Sequence, residues 1–128
     1  MGVTKRTYQA RLKRWLTALR SGKYKQAKEA LCKVNKKGEK ERYCCLGILT
    51  EVYNSTLPKD KKLKEKIDGG MVWFGGEQCW LPRQVEKYLG LPVSSQENLA
   101  KLNDDGKSFK TIANYIETNQ QELFTWGE

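Results

Sequence analysis

The sequence predicts an α+β fold, a single small domain over residues 1–128 with about five helices and one or two short β-hairpins. Three observations predict it. Apolar residues recur at helical spacing in several separate segments. Glycine-containing turns separate short runs of β-forming residues. The length of 128 residues suits one modest core.

The elements follow in chain order. Tyr8, Leu12, Trp15, Leu16 and Leu19 share one helical face, and Gly22 supplies a left-handed stop. Residues 23–32 read as a weak helix with Tyr24, Ala27, Ala30 and Leu31 inward. Asn35-Lys36-Lys37-Gly38 reads as a turn that joins 31–34 to 42–44 in a short hairpin. A helix over 44–54 buries Cys45, Ile48, Leu49 and Val52. Gly47 costs this helix roughly 1 kcal/mol relative to Ala, which implies close approach of another backbone. Residues 55–70 are lysine-rich, end in Gly69-Gly70 and read as a flexible surface loop with room for one helical turn.

Two aromatic-rich runs, Met71–Phe74 and Gln78–Leu81, flank Gly75-Gly76 and give the strongest hairpin signal. Core burial is the expected role of Trp73 and Trp80; a base-stacking platform is the alternative. Pro82 opens a helix and Gly90 closes it, with Val85, Tyr88 and Leu89 inward. Ser94 and Glu97 form a capping box for a helix carrying Leu99 and Leu102. Ser108 caps a last helix with Phe109, Ile112, Ala113 and Ile116 inward, and Leu123, Phe124 and Trp126 dock from the tail.

Charge is segregated along the chain. Residues 1–43 hold fourteen Lys or Arg against three Asp or Glu, whereas 44–128 hold ten against twelve. A basic N-terminal third concentrates positive potential on one face and attracts polyanions such as nucleotides or nucleic acid. No apolar run approaches the roughly 20 residues that span a bilayer, and no apolar segment follows the first residues as a secretory signal would require. Gly2 is not a convincing myristoylation site, because Arg6 stands where Ser or Thr is needed.

The chain has no histidine, which excludes Ser-His-Asp and Cys-His catalysis and the histidine-dependent zinc enzymes. Neither glycine-rich phosphate loop occurs, and no catalytic residue is assigned. Cys32, Cys44, Cys45 and Cys79 lack a Cys-x-x-Cys pair and read as buried reduced thiols in a cytosolic protein, with neither metal nor cofactor expected.

Five motifs occur in series: Ala18–Tyr24, Tyr43-Cys44-Cys45-Leu46-Gly47-Ile48-Leu49, Trp80-Leu81-Pro82, Leu102-Asn103-Asp104-Asp105-Gly106-Lys107-Ser108-Phe109 and Ile112–Glu117. Together they resemble a group of small proteins of unassigned function encoded by tailed bacteriophages. The likeness covers about residues 10–118, with Tyr-Cys-Cys-Leu-Gly and Leu-Asn-Asp-x-Gly-x-Ser-Phe its most specific pieces. It implies an accessory phage protein acting in the host bacterial cytoplasm, and carries no catalytic residues with it.

Two function classes follow. The first is a non-enzymatic binder that sequesters an anionic nucleotide-type ligand, in the manner of a counter-defence sponge for a host immune signal. Arg20, Lys23, Lys28 and Arg42 would meet phosphates, Tyr24, Tyr43 and Trp73 would stack on a base, and Asn103 and Asp104 would read polar groups. The competing reading of Asn103 and Asp104 is a local cap or turn. The second class binds nucleic acid, or inhibits a host protein, through the basic N-terminal face. A helix-turn-helix reading of 102–126 fails for want of a cation, because 119–126 contains neither Lys nor Arg. The oligomeric state is left open.

Overall fold

The computed structural model describes residues 2–126. Among these lie six α-helices and one five-stranded sheet in a single small α+β domain. Helix α1, Lys5–Arg20, starts at Thr4, whose hydroxyl accepts from the Thr7 amide. It ends beside Gly22, which adopts the left-handed φ of +77°. The buried face is Leu12, Trp15, Leu16 and Leu19, and the Trp15 indole donates to the Cys45 carbonyl at 3.0 Å.

Strands β1 (Lys25–Gln26), β2 (Cys32–Val34), β3 (Lys40–Tyr43), β4 (Glu65–Asp68) and β5 (Met71–Phe74) form a sheet in the order β1-β3-β2-β5-β4. The β1–β3 pair is parallel and the others are antiparallel. The β2–β3 hairpin turns where expected: the Asn35 side chain accepts from the amides of Lys37 and Glu39. Helix α2, Cys45–Ser55, fills the centre of the core and packs on α1, on α3 (Arg83–Leu89) and on α4 (Val93–Asp104). Its Gly47 lies against the Leu31 backbone. Helix α5, Phe109–Thr118, is capped by Ser108 as expected. Helix α6, Gln120–Leu123, carries the tail, where Leu123 and Phe124 are buried and the Trp126 indole donates to the Leu89 carbonyl.

Five expectations need correction. Residues 23–32 are not helical. They hold β1 and a bent segment with Glu29 at φ +64°. Hydrogen bonds from elsewhere fix that segment: Ala27 donates to the Tyr43 carbonyl, Asn103 binds the Ala27 carbonyl and Asp104 binds the Glu29 amide. These outweigh a weak local preference for helix. Residues 55–70 are not merely a loop, since a 3-10 turn at Lys59–Lys61 leads into β4. The aromatic hairpin is displaced. Strand β5 pairs with β4 across Gly69-Gly70, both in the left-handed region, and 78–81 is not a strand. Pro92 rather than Ser94 sits at the α4 N-cap, so no capping box forms. Finally, Trp80 is 42% exposed and Trp73 is half-buried, so neither belongs to the core.

Candidate ligand site

The sheet buries one face and opens the other. Tyr43, Cys32, Val72 and Phe74 point inward and are buried. On the opposite face, strand register aligns Lys25 with Arg42, Arg42 with Lys33, Lys33 with Met71 and Met71 with Asp68. An irregularity at Lys33/Val34 keeps this alignment while turning Lys40 inward, where it meets Glu51 at 2.7 Å and Glu65 at 3.1 Å. One alternation along β5 from Met71 places Trp73 on the open face, with Lys66 as its cross-strand partner.

Trp73 also lines a cleft of about 1060 Å³. The β4–β5 hairpin supplies Lys64, Lys66 and the Gly75-Gly76 backbone, the 3-10 turn supplies Lys61, and Tyr53 and Gln84 close the far side. The two walls are held by Asn54, whose side-chain oxygen accepts from the Leu63 amide while its carbonyl accepts from the Lys62 ammonium. Glu65 and Asp68 are the acidic members of the lining, and Glu65 is already paired with Lys40. The Trp73 Nε1 is covered by its neighbours and has no acceptor among the described residues.

The sequence-predicted residues do not converge on one site. Trp73 is in the cleft, and Arg42 lies on the same sheet face two strands away. Arg20 binds Asn114 and Glu117 at 2.7 and 2.8 Å and ties α1 to α5. Lys23 and Lys28 are exposed on the segments flanking β1. Tyr43 is buried with its hydroxyl on Glu51 at 2.6 Å, and Tyr24 packs edge-on against its ring. Burial, with the Glu51 hydrogen bond and charge, pushes the Tyr43 hydroxyl far above its ordinary range. Tyr43 is thus buried against Tyr24 rather than lining the Trp73 cleft.

Asn103 is a structural residue. It is fully buried, its oxygen accepts from the Gln26 side chain and the Cys45 amide, and its nitrogen donates to the Ala27 carbonyl. Its nitrogen also donates to the Asp104 carboxylate at 3.4 Å, which occupies the remaining amide hydrogen. Asp104 accepts from the Glu29 amide and borders a small apolar pocket of about 230 Å³ with Cys44, Cys79 and Trp80. Burial pushes the Cys44 and Cys32 thiols up to about 12, so neither is a reactive thiolate.

Sequence reasoning missed Lys61, Lys64, Lys66, Tyr53 and Gln84. The available signal was the spacing Lys62-x-Lys64-x-Lys66, a period of two that suits a strand.

No helix of the described residues is long and apolar enough to cross a membrane. A family model described as Domain of unknown function (DUF8296) matches residues 8–120. No curated protein and no solved structure matches the chain.

Proposed function

The chain belongs to the DUF8296 family, and from its side chains we propose that it is a non-catalytic binder of an anionic, base-bearing ligand of the nucleotide type. The single observation that carries this reading is the company of Trp73. An accessible indole shares one cleft with Lys61, Lys64 and Lys66, none of which takes part in an ion pair among the described residues. Aromatic stacking suits a base, and ammonium groups at its edge suit phosphates. The cleft volume lies just above the range usual for small-molecule sites. Lysines on an exposed strand and turn exchange between water and a ligand at low cost, which suits capture and release rather than chemistry.

The likeness to tailed-phage proteins supports a biological setting for this binding. A phage accessory protein in the host bacterial cytoplasm that sequesters a nucleotide signal would blunt a defence response without an enzyme's machinery. This site differs from the basic N-terminal face in depending on β4 and β5.

Calorimetry with ATP, cyclic AMP and cyclic di-AMP tests the reading, with Trp73→Ala and the Lys64→Glu/Lys66→Glu pair as variants. The expected outcome is saturable binding of at least one nucleotide that both variants abolish or weaken. Absence of heat with all three, or binding that survives both variants, overturns it.

A further inference from the structure

The open sheet face extends well beyond the cleft. Lys25, Arg42 and Lys33 stand side by side on β1, β3 and β2, and Met71 and Trp73 continue the same face on β5. Lys25 and Arg42 are exposed and Lys33 is half-buried. Of the three, only Arg42 pairs with a carboxylate among the described residues, Glu41 at a loose 3.7 Å. The row ends on β4 at Asp68, beyond Trp73's own strand. Positive charge thus reaches the indole from both sides, from Lys33 on β2 and from Lys66, its cross-strand partner on β4.

We infer that this face is a track for single-stranded nucleic acid, with Trp73 stacking on a base and Lys25, Arg42 and Lys33 holding successive phosphates. The inference rests on the Trp73 reading above and names a polymeric form of the same ligand class. Geometry favours the polymer. From β1 to β5 the row crosses three strand spacings, about 14 Å, while a stacked strand carries a phosphate about every 3.4 Å. The row therefore spans about four nucleotides, further than one nucleotide anchored at Trp73 extends. A strand of any sequence suits it, because the face supplies a π-surface and ammonium or guanidinium groups rather than a set of base-edge partners. Duplex DNA suits it less: the indole is useful only to a base whose face is free.

The test uses fluorescence anisotropy of a labelled ten-nucleotide thymidylate strand and of a ten-base-pair duplex across a salt series. The variants are Trp73→Ala and the triple reversal Lys25→Glu/Arg42→Glu/Lys33→Glu, with circular dichroism to verify that both remain folded. The expected result is that the single strand binds more tightly than the duplex and that Trp73→Ala weakens it. The triple reversal should weaken it further and flatten the log–log salt slope by about 2, at roughly 0.7 per lost phosphate contact. Single-strand affinity and slope unchanged by the triple reversal would overturn the track. If cyclic di-AMP or ATP binds at Trp73 while the ten-mer does not, the track falls and the nucleotide reading stands. If neither the nucleotides nor the ten-mer binds, both fall. Equal affinity for duplex and single strand, insensitive to Trp73→Ala, would also overturn it.

Discussion

The carbonyl oxygen of Leu31 occupies the space that a side chain on residue 47 would need. A Cβ placed on Gly47 would lie 1.7 Å from that oxygen and 2.6 Å from its carbon. The same oxygen accepts a hydrogen bond from the Cys44 amide at 3.2 Å, so it cannot move without uncoupling β2 from the start of α2.

Gly47→Ala is therefore expected to destabilise the fold despite the higher helix propensity of alanine. Propensity favours the change by roughly 1 kcal/mol, whereas overpacking a core costs typically about 1–3 kcal/mol and occasionally more, and a contact of 1.7 Å to backbone puts this site at the costly end. Urea unfolding by circular dichroism measures the difference; an equal or raised midpoint would contradict it.

Asn103→Ala should also lower stability while sparing the ligand site. The variant leaves the Ala27 carbonyl and the Cys45 amide without their side-chain partner in a buried setting. Each such loss costs about 1–3 kcal/mol. Urea unfolding and nucleotide titration on the same variant separate the roles, with a lower midpoint and unchanged affinity expected.

Thiol labelling should be ordered by burial. Cys32, Cys44 and Cys45 are buried and Cys79 is partly exposed. The Cys44 thiol is also occupied as the α2 N-cap, accepting from the Gly47 amide. With iodoacetamide on the native protein at pH 8, Cys79 should alkylate first. The other three should label only on unfolding, as read by peptide mass spectrometry.

Alkaline pH should weaken the fold through Lys40 and Tyr43. Burial works against the Lys40 ammonium, but hydrogen bonds and charge from Glu51 and Glu65 more than offset it and raise its affinity for the proton. Tyr43 is raised by burial and by Glu51. Both groups hold their protons more tightly folded than unfolded. Their contribution is thus intact below the ordinary values of 10.0 and 10.5 and is lost as pH rises past them. Melting temperatures at pH 8, 10 and 11 should fall across the last interval, and Tyr43→Phe should lessen that fall.

Elements specified by their own residues were legible in the sequence. The α1 stripe of Leu12, Trp15, Leu16 and Leu19, the stop at Gly90 and the cap at Ser108 each act within a turn or two of chain. Even the close contact at Gly47 was readable, because glycine in a buried helix needs a reason. Strands β1 and β4 were not. The first is two residues long, and its bent continuation is fixed by Asn103 and Asp104, some 75 residues away. The second is exposed along its whole length, so no apolar alternation announces it. The candidate site inherits this pattern. Trp73 was visible as an aromatic, but its lysine neighbours were hidden in what read as a loop. That Arg20 and Tyr43 are engaged by Glu117 and Glu51 was not legible, because those partners are chosen by tertiary packing.

Strand β4 has a consequence for how copies of the protein behave when crowded together. As the outermost strand it leaves one side of its backbone unpaired, a template on which another chain's strand can dock and begin an aggregate. Glu65, Lys66 and Asp68 put charge at three of its four positions, so an incoming strand must bring an opposite pattern or be repelled. At the other margin β1 is too short to template anything. The lysine proposed to meet a ligand on one side of β4 thus also helps to keep the sheet from growing, and neutralising Lys66 carries a risk to solubility as well as to the proposed binding.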